Sequence, residues 1–102
     1  MIKPNARSGS ISSEDRRSIA KDWLIQALSQ ILATPERSID ENNSLESIGL
    51  DSAAAVALLC EIEEFVNMDD MLDAEILYEH NTVSKLSSYI SELMNKKTKH
   101  SD

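Results

Sequence analysis

Few residues of this sequence are suited to chemistry, and they centre on one serine. Ser52 follows Gly49, Leu50 and Asp51 and precedes a stretch rich in alanine and leucine. A serine at a helix start exposes its hydroxyl, and a phosphodiester formed on it would lie near free backbone amides and the positive end of the helix dipole. We therefore take these four residues as a candidate acceptor site. The commoner explanation is that Asp51 or Ser52 only caps the helix, and four residues do not decide between the two.

Other arrangements for catalysis or metal binding are missing from the sequence. His80 and His100 are the only histidines and do not have the spacing of a helical zinc pair. The single cysteine, Cys60, has no partner for a disulfide or a thiolate metal site. No glycine-rich phosphate loop and no Gly-x-Ser-x-Gly elbow occur. We predict a protein that is not an enzyme, with no catalytic residue and no metal.

Composition narrows the possible partners. The 102 residues fit one domain and carry 18 acidic against 10 basic side chains, for a net charge of −8. This charge repels nucleic acid and suits partners that present Lys and Arg, although it can equally serve solubility alone. No apolar run approaches the length of about 20 residues that a membrane helix needs. A lone cysteine and no apolar leader predict a soluble, cytoplasmic protein. The acidic charge and the missing apolar run predict that its partners include neither nucleic acid nor a membrane.

The candidate serine must be positioned by helices. The first helix is predicted to begin after Ser12 and Ser13 and to stop near Ala33, because Pro35 disfavours helical geometry at Thr34. Its apolar stripe is predicted to consist of Ile19, Trp23, Leu24, Ala27, Leu28 and Ile31. The connection that follows is unusually long for a helical bundle. We expect it to be pinned to the core by Ile39, Leu45, Ile48 and Leu50.

The second helix is predicted from Asp51 or Ser52 to about Val66, where alanine and leucine give high helix propensity. Its inward residues are predicted to be Leu58, Leu59, Ile62, Phe65 and Val66. A second strip of the same helix begins at Ser52, continues through Val56 and Cys60, and is predicted to be more exposed. We expect a partner to touch the protein there.

Two further helices complete the prediction. A short one is expected over residues 73–79, and Thr82 is a plausible cap for a last helix. The inward residues of that helix are predicted to be Val83, Leu86, Ile90 and Leu93. The fold class is therefore all-α, a four-helix bundle with three longer helices, one short third helix and a long loop between helices one and two. The predicted organisation is a flexible leader at 1–13, a folded domain at 14–95 and a flexible tail at 96–102.

The segment from Leu45 to Ser52 resembles the surroundings of the modified serine in acyl and peptidyl carrier proteins. Residues 76–86 look like the segment that links the third and fourth helices in carriers of modular polyketide and nonribosomal peptide synthases. Trp23-Leu24 and Ile39-Asp40 fit the same pattern, so the resemblance covers roughly 18–93. It implies an acyl-carrier-like bundle, with Ser52 as the attachment point.

The resemblance also implies a cofactor and a set of partners. A phosphopantetheinyl transferase would attach 4′-phosphopantetheine from coenzyme A covalently to Ser52, with Asp51, Leu50 and Gly49 beside it. The thiol of this arm would then carry the acyl group as a thioester. Partners would include an acyl-loading enzyme, either an acyl-AMP ligase or an acyltransferase, and a ketosynthase or condensation enzyme acting on a monomeric carrier.

Docking surfaces in this family lie on helix two, the preceding loop and helix three. Ala53, Ala54 and Ala57 stand where carriers of fatty-acid synthesis often have leucine and acids, so we expect apolar contact near Ser52 and charged contact further along. The predicted docking residues are Ala53, Val56, Cys60, Glu61, Glu63, Glu64, Asp69 and Asp70. For the acids, a merely solvated face is the alternative.

The finer function stays open at this point. The run from Asp51 to Val56, together with Trp23-Leu24, looks most like carriers that receive fatty acyl groups from acyl-AMP ligases. One alternative is a peptidyl carrier loaded with an amino acid. Another is an unmodified acidic helical module that docks a basic partner and bears no arm.

Overall fold

The computed structural model describes residues 13–68 and 71–100, which form four helices. These are α1 (Ser13–Leu32), α2 (Ser52–Val66), α3 (Glu75–Glu79) and α4 (Val83–His100), and a 3-10 turn at Glu36–Ser38 lies between α1 and α2. The described residues contain no strand, although an isolated antiparallel bridge pairs Ser44 with Thr82. The predicted all-α bundle, with a short third helix and a long first loop, is confirmed.

The first helix stops where its sequence predicts. Ala33 takes a left-handed conformation with a φ of 52°, and the Thr34 amide donates to the Ser29 carbonyl at 3.0 Å. The Ser29 hydroxyl in turn donates to the Thr34 carbonyl at 2.6 Å. These bonds close the last turn, and Pro35 then directs the chain into the loop.

One apolar core joins the helices and the loop. α1 packs mainly against α4, so the two longest helices form a frame against which α2 packs. The core residues are Ala20, Leu24, Ala27, Leu28, Ile39, Leu45, Leu58, Leu59, Ile62, Val66, Leu77, Val83, Leu86 and Ile90. Ser87 is also buried and satisfies its hydroxyl by donating to the Ser84 carbonyl at 2.9 Å.

The predicted stripe of α1 is wrong at one position. Ile19 is 43% exposed, whereas Ala20, which the prediction omitted, is fully buried. Successive residues of an α-helix are about 100° apart, so a face centred on Ala20, Leu24 and Leu28 leaves Ile19 at its edge. Trp23 is half-buried and stacks on Phe65 of α2, with ring centroids 4.3 Å apart.

The long loop is pinned as predicted. Ile39 and Leu45 are buried, and Ile48 and Leu50 pack against the core while half-buried. Backbone bonds also tie this loop to the entry of α4. The amide of Leu45 donates to the Asn81 carbonyl at 2.8 Å, and the Ser84 amide donates to the Glu41 carbonyl at 3.0 Å.

The last two helices differ slightly from their predicted limits. α3 begins at Glu75 because Asp73 lies before it, where its carboxylate accepts from the Glu75 amide at 3.0 Å. Thr82 caps α4, since its hydroxyl accepts from the Lys85 amide at 3.1 Å. α4 continues to His100, past the predicted domain limit at 95. Residues 1–12 lie outside the described residues, and the division into leader, domain and tail stays a prediction.

Candidate functional site

The loop that leads to Ser52 is held by a series of short-range hydrogen bonds. The Ser44 hydroxyl accepts from the Ser47 amide at 3.1 Å and lies 2.9 Å from the Ser47 hydroxyl. The Ile48 amide donates to the Ser44 carbonyl, and the Leu50 amide donates to the carbonyl of buried Leu45 at 3.0 Å. The loop therefore enters α2 from a fixed direction.

Gly49 gives this loop its last turn. Its φ is +108°, and its amide donates to the Glu46 carbonyl at 3.0 Å. A Cβ added at this position would meet no atom within 4 Å. Glycine is therefore required here for its backbone conformation and not for lack of space.

Asp51 caps α2 and leaves Ser52 free. The Asp51 carboxylate accepts from the Ala54 amide at 2.9 Å, and its carbonyl accepts from the Ala55 amide at 2.8 Å. Ser52 is the first residue of the helix and is exposed. No described residue makes a hydrogen bond with its hydroxyl. Asp51 is therefore the residue that caps α2, and the Ser52 hydroxyl does not take part in capping.

A cleft of about 640 Å³ opens beside Ser52. It lies between the loop, the first half of α2 and the segment from α3 to Asn81. Buried Leu59 and Leu77 contribute to its lining, while Val56 and Tyr78, which are 61% and 78% exposed, also line it. The charged lining residues are Glu46 and Asp51, both acidic. The cleft is thus an apolar trough with acidic groups and no Lys or Arg in its described lining.

The predicted docking residues fall into three groups. Ala53, Val56 and Cys60 are exposed along one strip of α2, as predicted, and Glu61 and Glu64 are exposed further along. Glu63 is half-buried, and its carboxylate accepts from the Leu72 amide at 2.7 Å. Asp69 and Asp70 lie outside the described residues. The assignment of a docking role to these residues stays a prediction.

The charge of the chain is unevenly distributed. From Ser38 to Ser84 there is no Lys or Arg, although this stretch holds 12 of the 18 acidic residues. It includes the loop from Ser38 onward, α2 and α3, and therefore every residue that lines the cleft beside Ser52. The basic side chains lie on the two outer parts of the chain. The region of Ser52 is accordingly a negative surface, which suits a positively charged partner.

Sequence reasoning did not find the cleft, because its walls come from three separate segments. It also did not find the tether from Glu63 to Leu72. No local signal distinguishes Glu63 from its neighbours Glu61 and Glu64, since the difference depends on where the chain returns after α2. The sequence places Tyr78 on the short helix, but its exposure beside Ser52 follows only from the packing of α3.

Other kinds of site do not occur within the described residues. Ranges 13–68 and 71–100 contain no group of three His, Cys, Asp or Glu side chains placed to hold a metal ion. No described helix is long and apolar enough to cross a membrane. His80 is half-buried and stacks on Tyr89, with ring centroids 4.7 Å apart.

Comparison with protein families shows the family to which the chain belongs. Residues 22–90 match the family described as "Phosphopantetheine attachment site". The chain belongs to this family. Domains of this family are non-catalytic acyl carriers with covalently bound 4′-phosphopantetheine, so the chain contains a phosphopantetheine carrier domain.

Curated relatives include proteins of two very different lengths. The chain is 32% identical over 88 residues to a phenolphthiocerol/phthiocerol polyketide synthase protein of Mycobacterium tuberculosis, a match that covers 85% of this chain and 5% of that protein. The carrier therefore spans only a small part of that synthase. It is also 26% identical over 81 residues to the acyl carrier protein TtuC of Teredinibacter turnerae, covering 79% of this chain and 86% of TtuC.

Two solved structures share the fold. A free-standing peptidyl carrier protein from Acinetobacter baumannii superposes with a TM-score of 0.68 at 22% identity, covering 76% of this chain and 95% of that one. The HMG-ACPI domain from the CurA module of Lyngbya majuscula gives a TM-score of 0.69 at 24% identity, covering 96% and 93%. Both confirm the carrier-like bundle.

The geometry around Ser52 fits the phosphopantetheine group. The hydroxyl is exposed and unengaged. The Ala54 amide is bound by Asp51, but the amides of Ser52 and Ala53 have no acceptor within the helix and are available to a phosphate. When bound, the group supplies a thiol that holds an acyl group as a thioester. Ser52 would anchor it, Asp51 fixes the start of the helix, and the neighbouring cleft offers room for the rest of the arm.

Proposed function

We propose that Ser52 is the attachment serine of this carrier, with Gly49, Leu50 and Asp51 holding it at the head of α2. The single observation that supports this most strongly is that Asp51, and not Ser52, caps the helix. The serine hydroxyl is thereby left accessible at the positive end of the dipole. A transferase needs such access to form a phosphodiester on it.

The test is enzymatic modification followed by intact mass. The chain is incubated with coenzyme A, magnesium and a broad-specificity phosphopantetheinyl transferase, and we expect one added phosphopantetheinyl group. Ser52→Ala should abolish the addition while Ser47→Ala, a nearby exposed serine, should not. An adduct that survives Ser52→Ala would reject the assignment. No adduct on the wild-type chain would favour the alternative of an unmodified acidic interaction module.

The arm is proposed to carry an uncharged, apolar acyl group, loaded by a fatty acyl-AMP ligase. The cleft beside Ser52 supports this because Val56, Leu59 and Leu77 line it and its charged lining residues are acidic. The transfer of an apolar acyl chain from water into such a trough lowers the free energy of the system. A carboxylate-bearing acyl group would instead meet the negative charges of Glu46 and Asp51.

The choice of loading enzyme separates the remaining alternatives. The modified carrier is offered to an acyl-AMP ligase with fatty acids, to an acyltransferase with acyl-coenzyme A, and to an adenylation domain with amino acids. We expect thioester formation with the fatty acid. Thioester formation only with amino acids would replace the fatty-acyl proposal by a peptidyl carrier.

The partner surface is proposed to have an apolar centre and an acidic border. Ala53, Val56 and Cys60 form the centre beside Ser52. Exposed Glu61 and Glu64 form the border, to which Asp69 and Asp70 are also assigned from sequence, whereas the carboxylate of Glu63 is bound to the Leu72 amide. Besides the loading enzyme, the partners are the transferase and a ketosynthase or condensation enzyme. We further propose a monomer in the cytoplasm, where the lone thiol of Cys60 stays reduced.

A further inference from the structure

Three glutamates of α2 that look equivalent in sequence have different surroundings. Glu61 and Glu64 are exposed. Glu63 is half-buried, and its Oε2 accepts a hydrogen bond from the Leu72 amide at 2.7 Å. The chain therefore uses the carboxylate of Glu63 internally, while the other two carboxylates face solvent.

The bond from Glu63 holds the connection that follows α2. That helix ends at Val66, and the C-cap residue Asn67 takes a left-handed conformation with a φ of 58°. The Met68 amide then donates to the Glu63 carbonyl at 3.0 Å. Glu63 thus binds the departing chain through its backbone and the returning chain, at Leu72, through its side chain. Met68 and Leu72 pack against the core on either side of this bond.

The position of α3 depends on such tethers. It has five residues, and the side-chain acceptor at its start is the Asp73 carboxylate, which binds the Glu75 amide at 3.0 Å. A helix of this length is not stable in isolation. Leu77 anchors α3 in the core, and Asn81 fixes its far end by accepting from the Leu45 amide. At the start of α3, the carboxylate of Glu63 in α2 binds the Leu72 amide and so fixes the chain that leads into α3.

We propose that Glu63 is a positioning residue for the Ser52 site. Its carboxylate holds the connection between α2 and α3 so that Leu77 and Tyr78 form the wall of the cleft that faces α2. In the second half of α2, the carboxylates available to pair with a partner's cations are then those of Glu61 and Glu64. This inference rests on the proposed function, because the cleft matters only if the arm is attached beside it.

The energetics favour this division of roles. A hydrogen bond from a backbone amide to a carboxylate is about twice as strong as one between neutral groups. A partner's lysine that drew Oε2 of Glu63 away from this bond would leave the half-buried Leu72 amide without an acceptor, which is costly. Glu61 and Glu64 can pair with a partner's cation without breaking any described hydrogen bond.

The first experiment measures amide hydrogen exchange by NMR on the unmodified full chain. Glu63→Ala should raise the exchange rates of Leu72 and of residues 75–79 by about tenfold or more, since the Leu72 amide loses its hydrogen bond to a charged acceptor. The amides of α1 should change much less. Glu63→Gln should restore part of the protection, because its amide oxygen still accepts. Glu64→Ala is the matched control and should leave α3 unchanged.

The second experiment measures kcat and KM of the transferase reaction at low and high salt. Glu61→Gln with Glu64→Gln should raise KM and weaken its salt dependence, whereas Glu63→Gln should leave the salt dependence unchanged. Unchanged exchange of α3 in Glu63→Ala, or an equal rise in α1, would overturn the proposal. So would a loss of salt dependence in Glu63→Gln equal to that of the double variant. The exchange result is independent of modification, so it stands apart from the Ser52 mass test.

Discussion

The frame formed by α1 and α4 and the region around the cleft are built on different physical principles. The frame consists of two long helices whose facing side chains, among them Leu24, Leu28, Leu86 and Ile90, are fully buried. The cleft region consists of the loop at 44–50, the five-residue α3 and Asn81. It buries only Leu45 and Leu77 and depends on a few directional hydrogen bonds. Burial therefore supplies stability in the frame, while the site is held by contacts that open at lower cost.

The largest expected effect tests the frame. Ile90→Ala should lower the free energy of unfolding by about 2–5 kcal/mol. The Ile90 side chain is fully buried, so its truncation leaves a cavity that the packed helices can fill only in part. Urea denaturation measures this loss. Ile19→Ala removes the same side chain from a position that is 43% exposed and should cost much less. Equal losses would contradict the described packing of α1.

A smaller effect is expected when the cleft region is weakened. Leu77→Ala should cost about 2 kcal/mol, the lower end for a buried leucine, because the short α3 can move inward. Hydrogen exchange should speed up in residues 75–79 well before the amides of α1 respond. If the loss matched that of Ile90→Ala and all helices exchanged together, the distinction between frame and cleft region would fail.

The cap of α2 gives a still smaller effect. Asp51→Ala should lower stability by about 1 kcal/mol, since the Ala54 amide loses its side-chain acceptor. Asp51→Asn should retain most of the stability, because asparagine caps as well as aspartate does. Thermal unfolding monitored by circular dichroism compares the three proteins. If both variants lost the same stability, the cap would not be the cause.

The smallest effect concerns the contact between the two regions, where Tyr89 of α4 stacks on His80. Burial raises the pKa of Tyr89 above its ordinary value of 10.0, and the negative charges of Glu79 and Glu92 raise it further by smaller amounts. The unfolded chain therefore loses the phenolic proton first, so stability is complete below pH 10.0 and falls as the pH rises through the higher folded pKa. In urea titrations at several pH values, Tyr89→Phe should remove this part of the decline. Identical curves for the two proteins would contradict it.

The sequence predicted most of the frame and the position of the serine. Pro35, Asp51 and Thr82 act locally, so the helix ends that they define were accessible to inspection of the sequence. The anchoring role of Ile39 and Leu45 followed from isolated apolar residues in a polar stretch. Ile19 was misplaced because Ile19 and Ala20 are both apolar and adjacent, and which of them faces the core depends on how the other helices pack against α1.

The remaining features depend on contacts between distant segments. The cleft requires the loop, α2 and α3 together, and the exposure of Tyr78 follows from the position of a helix too short to be fixed by its own sequence. The separation of Glu63 from Glu61 and Glu64 requires the return of the chain at Leu72. These features have no local signature, which is why pattern and propensity did not reveal them.

The backbone bond between Leu45 and Asn81 also has a consequence for biosynthesis of the chain. Because Asn81 follows Leu45 by the whole of α2 and α3, a ribosome must have synthesised both helices before the hydrogen bond from the Leu45 amide to the Asn81 carbonyl can form. The emerging serine is thus presented in its final orientation only once the start of α4 has left the exit tunnel, and we expect nascent chains that end before Thr82 to be poor acceptors.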